Sequence, residues 1–288
     1  AQMGAAKSCI IETCTCCCSR GGPVVSRERV SVVKDSQALA ALLRQRLDAA
    51  AKVAIASRGH FALAVPGGSV LELLGGWKPE WSSNALVAYV NHKCVASDDV
   101  KQSTHAKAIR SFLGKWQGVT VVEPPHRELP AEEAAAAYAD SLAEVPEAML
   151  PCAGGLPCFD VMLLGMGDDG HIGSLHPGRP EVLLPGPWVL PVEQGSPASF
   201  TMSLPVMHAA REVIVAAFGI SEKAPLGKAD AAYRAIEGPD VTPETLPACA
   251  LRGCASWLLD DVAAAQLSAC YRVQDDVAGA SKLLVGYR

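Results

Sequence analysis

Residues 159–176 read FDVMLLGMGDDGHIGSLH, and this stretch restricts the fold more than any other part of the chain. Phe159, Val161, Met162, Leu163 and Leu164 form a short apolar run that stops at Gly165-Met166-Gly167. Two carboxylates and an imidazole follow at once, in Asp168, Asp169 and His171. An apolar run without polar alternation is the pattern of a strand covered on both faces. The glycines allow a sharp turn at its end. A buried strand that delivers an ionisable cluster at its carboxyl end belongs in an open α/β sheet, where ligands gather at that edge.

The rest of the chain repeats the theme. RVSVV (29–33) predicts a first edge strand, Asp35-Ser36 a helix cap, and Leu39, Leu42, Leu43 and Leu47 lie on one helical face. FALAV (61–65) reads as a buried strand ending in Pro66-Gly67-Gly68-Ser69, after which VLELL opens a helix. Further strands are expected at 86–90, 119–124, 213–218 and SWLLD (256–260), with helices at 102–113, 130–145 and 221–236 and another at the end. The proline- and glycine-rich segment 176–200 reads as a surface loop. Strands alternating with helices predict an α/β fold, with a mostly parallel sheet flanked by helices on both faces.

Several blocks, in order, resemble the glucosamine-6-phosphate isomerase superfamily, and within it the lactonase branch. The branch carries G-M-G-x-D-G-H followed by S-L-F-P. Here these stand as Gly165-Met166-Gly167-Asp168-Asp169-Gly170-His171 and Ser174-Leu175-His176-Pro177. FALAVPGGSVLELL (61–74), MSLPVMHAAREVIVAAFGISEK (202–223) and SWLLDDVAAA (256–265) are similar to the family's other blocks, so the resemblance spans roughly residues 28–265. It implies a Rossmann-like sugar-phosphate isomerase fold and hydrolysis of a phosphorylated sugar lactone, 6-phospho-D-glucono-1,5-lactone, to 6-phosphogluconate.

The residues suit that chemistry. Hydrolysis of a lactone adds water to an ester-like carbonyl, a step accelerated by a base that titrates near neutrality. His171 is the base that the resemblance implies, and Asp169 is placed to orient it. Gly67, Gly68 and Ser69, between a strand and a helix, can turn backbone N–H groups toward a phosphate. The resemblance adds Lys223 as a lysine near the sugar phosphate. No electrons move in hydrolysis, so no cofactor is expected. No metal is expected either, because His171 and His176 lack helical i, i+4 spacing and a clear third ligand.

The pattern breaks at one strand end. Family members carry Asp-Glu-Arg after the strand at 86–90 and Ser-Asn later; this chain has Asn91-His92-Lys93 and Ser103-Thr104. Lys93 then stands where the family has a phosphate-binding arginine, keeping the charge but losing the bidentate fork. The family's Ser-Pro-Lys-Pro-Pro loop is reduced to Ser196-Pro197-Ala198-Ser199. These departures keep a second reading open, a homologue that binds a sugar phosphate or a protein without turnover. Deamination of an amino sugar fits poorly, since Asn91 and His92 occupy the place of the carboxylate that reaction requires.

Composition narrows the partners. Half of the 288 residues are apolar, enough for a substantial core. A net charge of −5 disfavours nucleic acid, and no apolar stretch approaches the ~20 residues needed to cross a bilayer. Five of eleven cysteines, Cys9, Cys14, Cys16, Cys17 and Cys18, crowd a start that holds a single acid, Glu12. Residues 1–27 therefore read as an extension of organelle-targeting type, with a plastid location expected, and 28–288 as one α/β domain.

Overall fold

A computed structural model describes residues 25–220 and 227–272. The five amino-terminal cysteines, Lys223 and residues 273–288 lie outside the described residues. The chain runs β1 (Val30–Val33), α1 (Ser36–Arg58), β2 (Phe61–Val65), β3 (Ala85–Tyr89), β4 (Asn91–Lys93), α2 (Thr104–Ser111), β5 (Thr120–Val121) and α3 (Ala131–Ala143). It continues through β6 (Cys152–Ala153), β7 (Leu156–Pro157), β8 (Val161–Gly165), β9 (Val189–Val192), β10 (Ser199–Met202), α4 (Leu204–Ala209), β11 (Glu212–Ala217), α5 (Ala229–Ile236) and β12 (Ala255–Asp260).

Seven strands form one sheet in the order β1-β12-β11-β8-β2-β3-β5, and every neighbouring pair is parallel. All residues of β1, β2 and β3 are buried. Successive strand residues face opposite sides of a sheet, so both faces are covered. That is the α/β architecture expected from the apolar runs, with β1 at an edge. Asp35 caps α1, its Oδ1 accepting from the amides of Gln37 and Ala38 at 3.0 and 2.9 Å, and Leu39, Leu42, Leu43 and Leu47 are buried as their spacing requires.

The order reverses between β2 and β8. From β2 the chain proceeds to β3 and β5 on one side; from β8 it proceeds to β11 and β12 on the other. The loops leaving β2 and β8 therefore diverge and open a crevice at the strands' carboxyl ends. Asp160, fully buried just before β8, accepts from the amide of Ala62 in β2 at 2.7 Å and pairs with Arg58 at the end of α1. This holds the two strands beside each other below the crevice.

Three expectations change. The helix after Ser69 is a six-residue 3-10 helix, Ser69–Leu74, cut short by Gly75-Gly76; four of its residues are buried. Segment 176–200 is not all loop: β9 and the start of β10 join β4 in a three-stranded antiparallel sheet. Its apolar residues Val189, Leu190 and Val192 are buried, against α3 among others. The strand expected at 119–124 is paired only at Thr120–Val121, on the sheet edge. Residues 261–272 form turns, and the remaining stretch for the expected terminal helix lies outside the described residues.

His92, in β4, is buried between the carbonyl of Lys93, which faces its Nδ1, and Ser103 Oγ, 3.0 Å from its Nε2. Burial lowers its pKa from 6.5 to about 4 despite the Lys93 carbonyl. As pH falls below 6.5 the unfolded chain takes up this proton first, so the stabilising contribution is complete above that pH and is lost on the way to about 4. The loss is about 3 kcal/mol. Urea unfolding at pH 7 and pH 4.5 should show a steeper drop in stability for wild type than for His92→Gln; equal drops would mean that the imidazole titrates alike in both states.

Candidate active site

The crevice between β2 and β8 holds a cleft of about 220 Å³. Pro66 to Val70 form one wall, Gly165 to Asp168 with His171 and Gly173 another, and Asn91 and Lys228 complete it. A larger open depression of about 420 Å³ beside α1 also exists, but its Arg44 is committed to the carbonyls of Leu73 and Gly75. His171, paired with Asp169, lines the smaller cleft.

The motif loop folds back on itself after β8. Met166 bridges Ile172, Ile172 bridges Leu175, the amide of Gly167 donates to the carbonyl of His171 at 2.9 Å, and that of Gly170 to the carbonyl of Gly167 at 3.2 Å. Closure brings Asp169 onto His171: Oδ1 lies 2.6 Å from Nδ1 and accepts the His171 amide at 3.0 Å. A side chain at position 167 would destroy this arrangement, since its Cβ would stand 2.1 Å from His171 Nδ1 and 2.6 Å from Asp169 Oδ1. Burial tends to raise the Asp169 pKa, but hydrogen bonds from His171 and His176 and from the His171 amide outweigh it and hold the carboxyl well below the usual carboxylate range. Asp169 is thus an anion throughout the neutral range. With Nδ1–H directed to it, Nε2 of His171 carries the available lone pair. The imidazole is one-third exposed, open to water.

The glycine turn after β2 faces this pair. Gly68 has φ 90° and ψ −157°, a backbone conformation reserved for glycine. Asn91 fastens the two turns together, accepting from the Gly67 amide at 2.9 Å and donating to Ser174 Oγ at 3.2 Å. The Gly67 amide is therefore engaged within the protein. A phosphate cradle would draw on the amides beyond it, at Gly68 and Ser69.

Residues 34–258 match the family model described as glucosamine-6-phosphate isomerases/6-phosphogluconolactonase. The chain belongs to this family. It is 31% identical to human 6-phosphogluconolactonase over 259 residues, covering 83% of this chain and 93% of the relative. It is 32% identical to the 6-phosphogluconolactonase of Mycobacterium tuberculosis over 261 residues, 83% of this chain and 98% of the relative. Among solved structures, 6-phosphogluconolactonase from Leishmania guyanensis superposes with a TM-score of 0.68 at 20% identity, over 83% of this chain and 99% of that one. A monomeric glucosamine-6-phosphate deaminase gives 0.56 at 19%, over 82% and 99%, so the two branches share the fold.

Of the residues singled out in the sequence, the structure gathers Asp169, His171, Gly67, Gly68 and Ser69 around the cleft. Lys93 sits apart from them. It is exposed, its Nζ lies 3.3 Å from Gln102 Oε1, and it is absent from the cleft lining. β4 leaves the cleft at Asn91 to pair with β10, which carries Lys93 about 7 Å further along the strand. Among the described residues, the cation on the cleft wall is Lys228, at the start of α5. Burial lowers its pKa while the charges of Asp168 and Asp260 raise it. The signal for it was a Gly-Lys pair between an apolar strand and a helix, five residues beyond Lys223.

Replacing Gly167 by alanine should separate His171 from Asp169 at a stability cost of about 1 kcal/mol, since the imidazole and the carboxylate that must move are the ends of partly exposed side chains. Imidazole nitrogen NMR should then show a mixture of tautomers in Gly167→Ala where wild type shows the Nδ1–H form alone. A single unchanged tautomer would contradict the steric account.

Proposed function

We propose that this protein hydrolyses 6-phospho-D-glucono-1,5-lactone to 6-phosphogluconate. The observation that carries the reading is the Asp169-anchored imidazole of His171, exposed in the same cleft as the Gly67–Ser69 turn. The human and mycobacterial relatives bear the name of this activity over nearly their full length.

In this mechanism Lys228 and the turn at Gly68-Ser69 hold the phosphate. His171 Nε2 takes a proton from water as the oxygen attacks the C1 carbonyl, and Asp169 stabilises the imidazolium that forms. A tetrahedral adduct results, its negative oxygen facing the polar end of the cleft. Collapse of the adduct breaks the bond between C1 and the ring oxygen. The imidazolium returns its proton to that oxygen, opening the ring to a carboxylic acid that ionises at neutral pH. Atoms balance with water alone.

The binding-only alternative is less well supported. The base and its orienting carboxylate are both present, and the departure at position 91 has a structural role, since Asn91 ties the two turns together. Lys93 is not among the residues lining the cleft, so the reading assigns the phosphate to Lys228 instead. A plastid setting belongs to the same proposal and rests on the composition of residues 1–27; imaging a fluorescent fusion of those residues tests it.

The decisive measurement is lactone hydrolysis corrected for the spontaneous rate. His171→Ala should lower kcat/KM by about 10²–10⁴-fold. Lys228→Ala should raise KM by roughly ten- to hundredfold, as expected when a charge-assisted contact to phosphate is lost, with a smaller change in kcat. Wild-type protein that never exceeds the spontaneous rate would leave only the binding reading.

A further inference from the structure

Asp169 meets a second imidazole besides that of His171. Its Oδ2 lies 3.6 Å from His176 Nδ1, while Oδ1 lies 2.6 Å from His171 Nδ1. The two rings stand 4.5 Å apart, and one ligating atom from each of the three residues falls within 4.8 Å of the other two. We propose that Asp169, His171 and His176 form a binding site for a borderline divalent transition ion, zinc above all, and that an ion there takes His171 out of its role as base.

The donor set sorts the ions. Two imidazole nitrogens and one carboxylate oxygen suit zinc, cobalt or nickel, whereas magnesium and calcium prefer all-oxygen shells. Zinc bonds of about 2.0–2.1 Å in a tetrahedron set ligand atoms roughly 3.3 Å apart. The 3.6 Å from Oδ2 to His176 and the 2.6 Å from Oδ1 to His171 run to different carboxylate oxygens, and small rotations of these three side chains, whose ligand atoms already lie within 4.8 Å of one another, bring them to that spacing. All three side chains are between about a quarter and a half exposed, so an ion can enter and keep water in its fourth position.

The ligands are also held in place beforehand. The His171 amide fixes Asp169, and the Ile172–Leu175 bridge carries the chain straight into His176. Position 176 is one where the chain departs from its lactonase-branch resemblance, which has phenylalanine after Ser-Leu. The third ligand is therefore this chain's own. Spacing along the sequence hid it, because the carboxylate completing the site comes from the near side of the turn, at position 169.

The effect on catalysis rests on the lactonase reading above; the binding does not. A metal on Nδ1 requires that nitrogen's lone pair, so the proton carried there in the free protein moves to Nε2. Nε2–H cannot accept a proton from water. No net proton is lost from the ring and nothing is oxidised. Zinc should therefore inhibit hydrolysis, and a chelator should restore it.

The test titrates zinc into the full chain with Cys9, Cys14, Cys16, Cys17, Cys18 and Cys152 all replaced by serine, which removes the clustered thiolates and the exposed one at position 152. Imidazole nitrogen NMR should show the His171 and His176 signals moving together, with His171 passing to the Nε2–H tautomer. Calorimetry should show binding at least tenfold weaker in His176→Phe on the same background. Unmoved imidazole signals in the wild-type site would overturn the proposal without relying on any site variant, and so would equal affinity in His176→Phe. Signals that move in a protein without lactonase activity would support the metal site and count against the proposed function, so the two failures are separable.

Discussion

The absence of a side chain at Gly167 is the constraint on which the candidate site rests. The chain leaving β8 has to reverse within a few residues, and the reversal lays Asp169 and His171 over the Gly167 backbone where a Cβ would sit. Only because that space is empty can the carboxylate reach the imidazole at hydrogen-bond distance and fix its tautomer. The low pKa of Asp169, the orientation of the part-exposed His171 imidazole and the nearness of His176 all follow from this one close approach.

The sheet then determines what the pair faces. The motif loop leaves β8 and the glycine turn leaves β2, adjacent strands whose connections depart in opposite directions, so a crevice opens between them. Asp160 holds the strands together at its floor and Asn91 joins the two turns at its mouth. Charge in the cleft is arranged in opposed pairs. Lys228 is flanked by Asp168 and Asp260, and Asp260 is itself fixed by the amides of Gly219 and Ala263 at 2.8 Å each. A largely buried lysine whose burial works against its charge, partly offset by these carboxylates, would gain a stronger partner in a phosphate.

The resemblance and the structure agree on the fold and on the motif but part at Asn91-His92-Lys93. What reads in one dimension as the loss of two carboxylates and an arginine from a site becomes three different roles. Asn91 links the turns, His92 is buried against Ser103 and Lys93, and Lys93 is exposed on the surface. The antiparallel sheet of β4, β10 and β9 causes this dispersal, because it draws the strand away from the cleft after a single residue.

The sequence determined what depends on local pattern. Unbroken apolar runs marked the central strands, leucine spacing and Asp35 marked α1, and Gly165 to His171 marked the turn that pairs Asp169 with His171, each legible because burial and backbone conformation act on neighbours in the chain. Tertiary structure decided what depends on distant partners. The strand at β9 was hidden in a proline-rich segment because its pairing partner lies in β10, with β4 completing that sheet from a hundred residues upstream. Lys228, not Lys93, lines the cleft because sheet order, and not sequence distance, sets which loops converge. His176 gained a carboxylate partner only when the turn closed, for two side chains seven positions apart meet through the fold and not through any period of the chain.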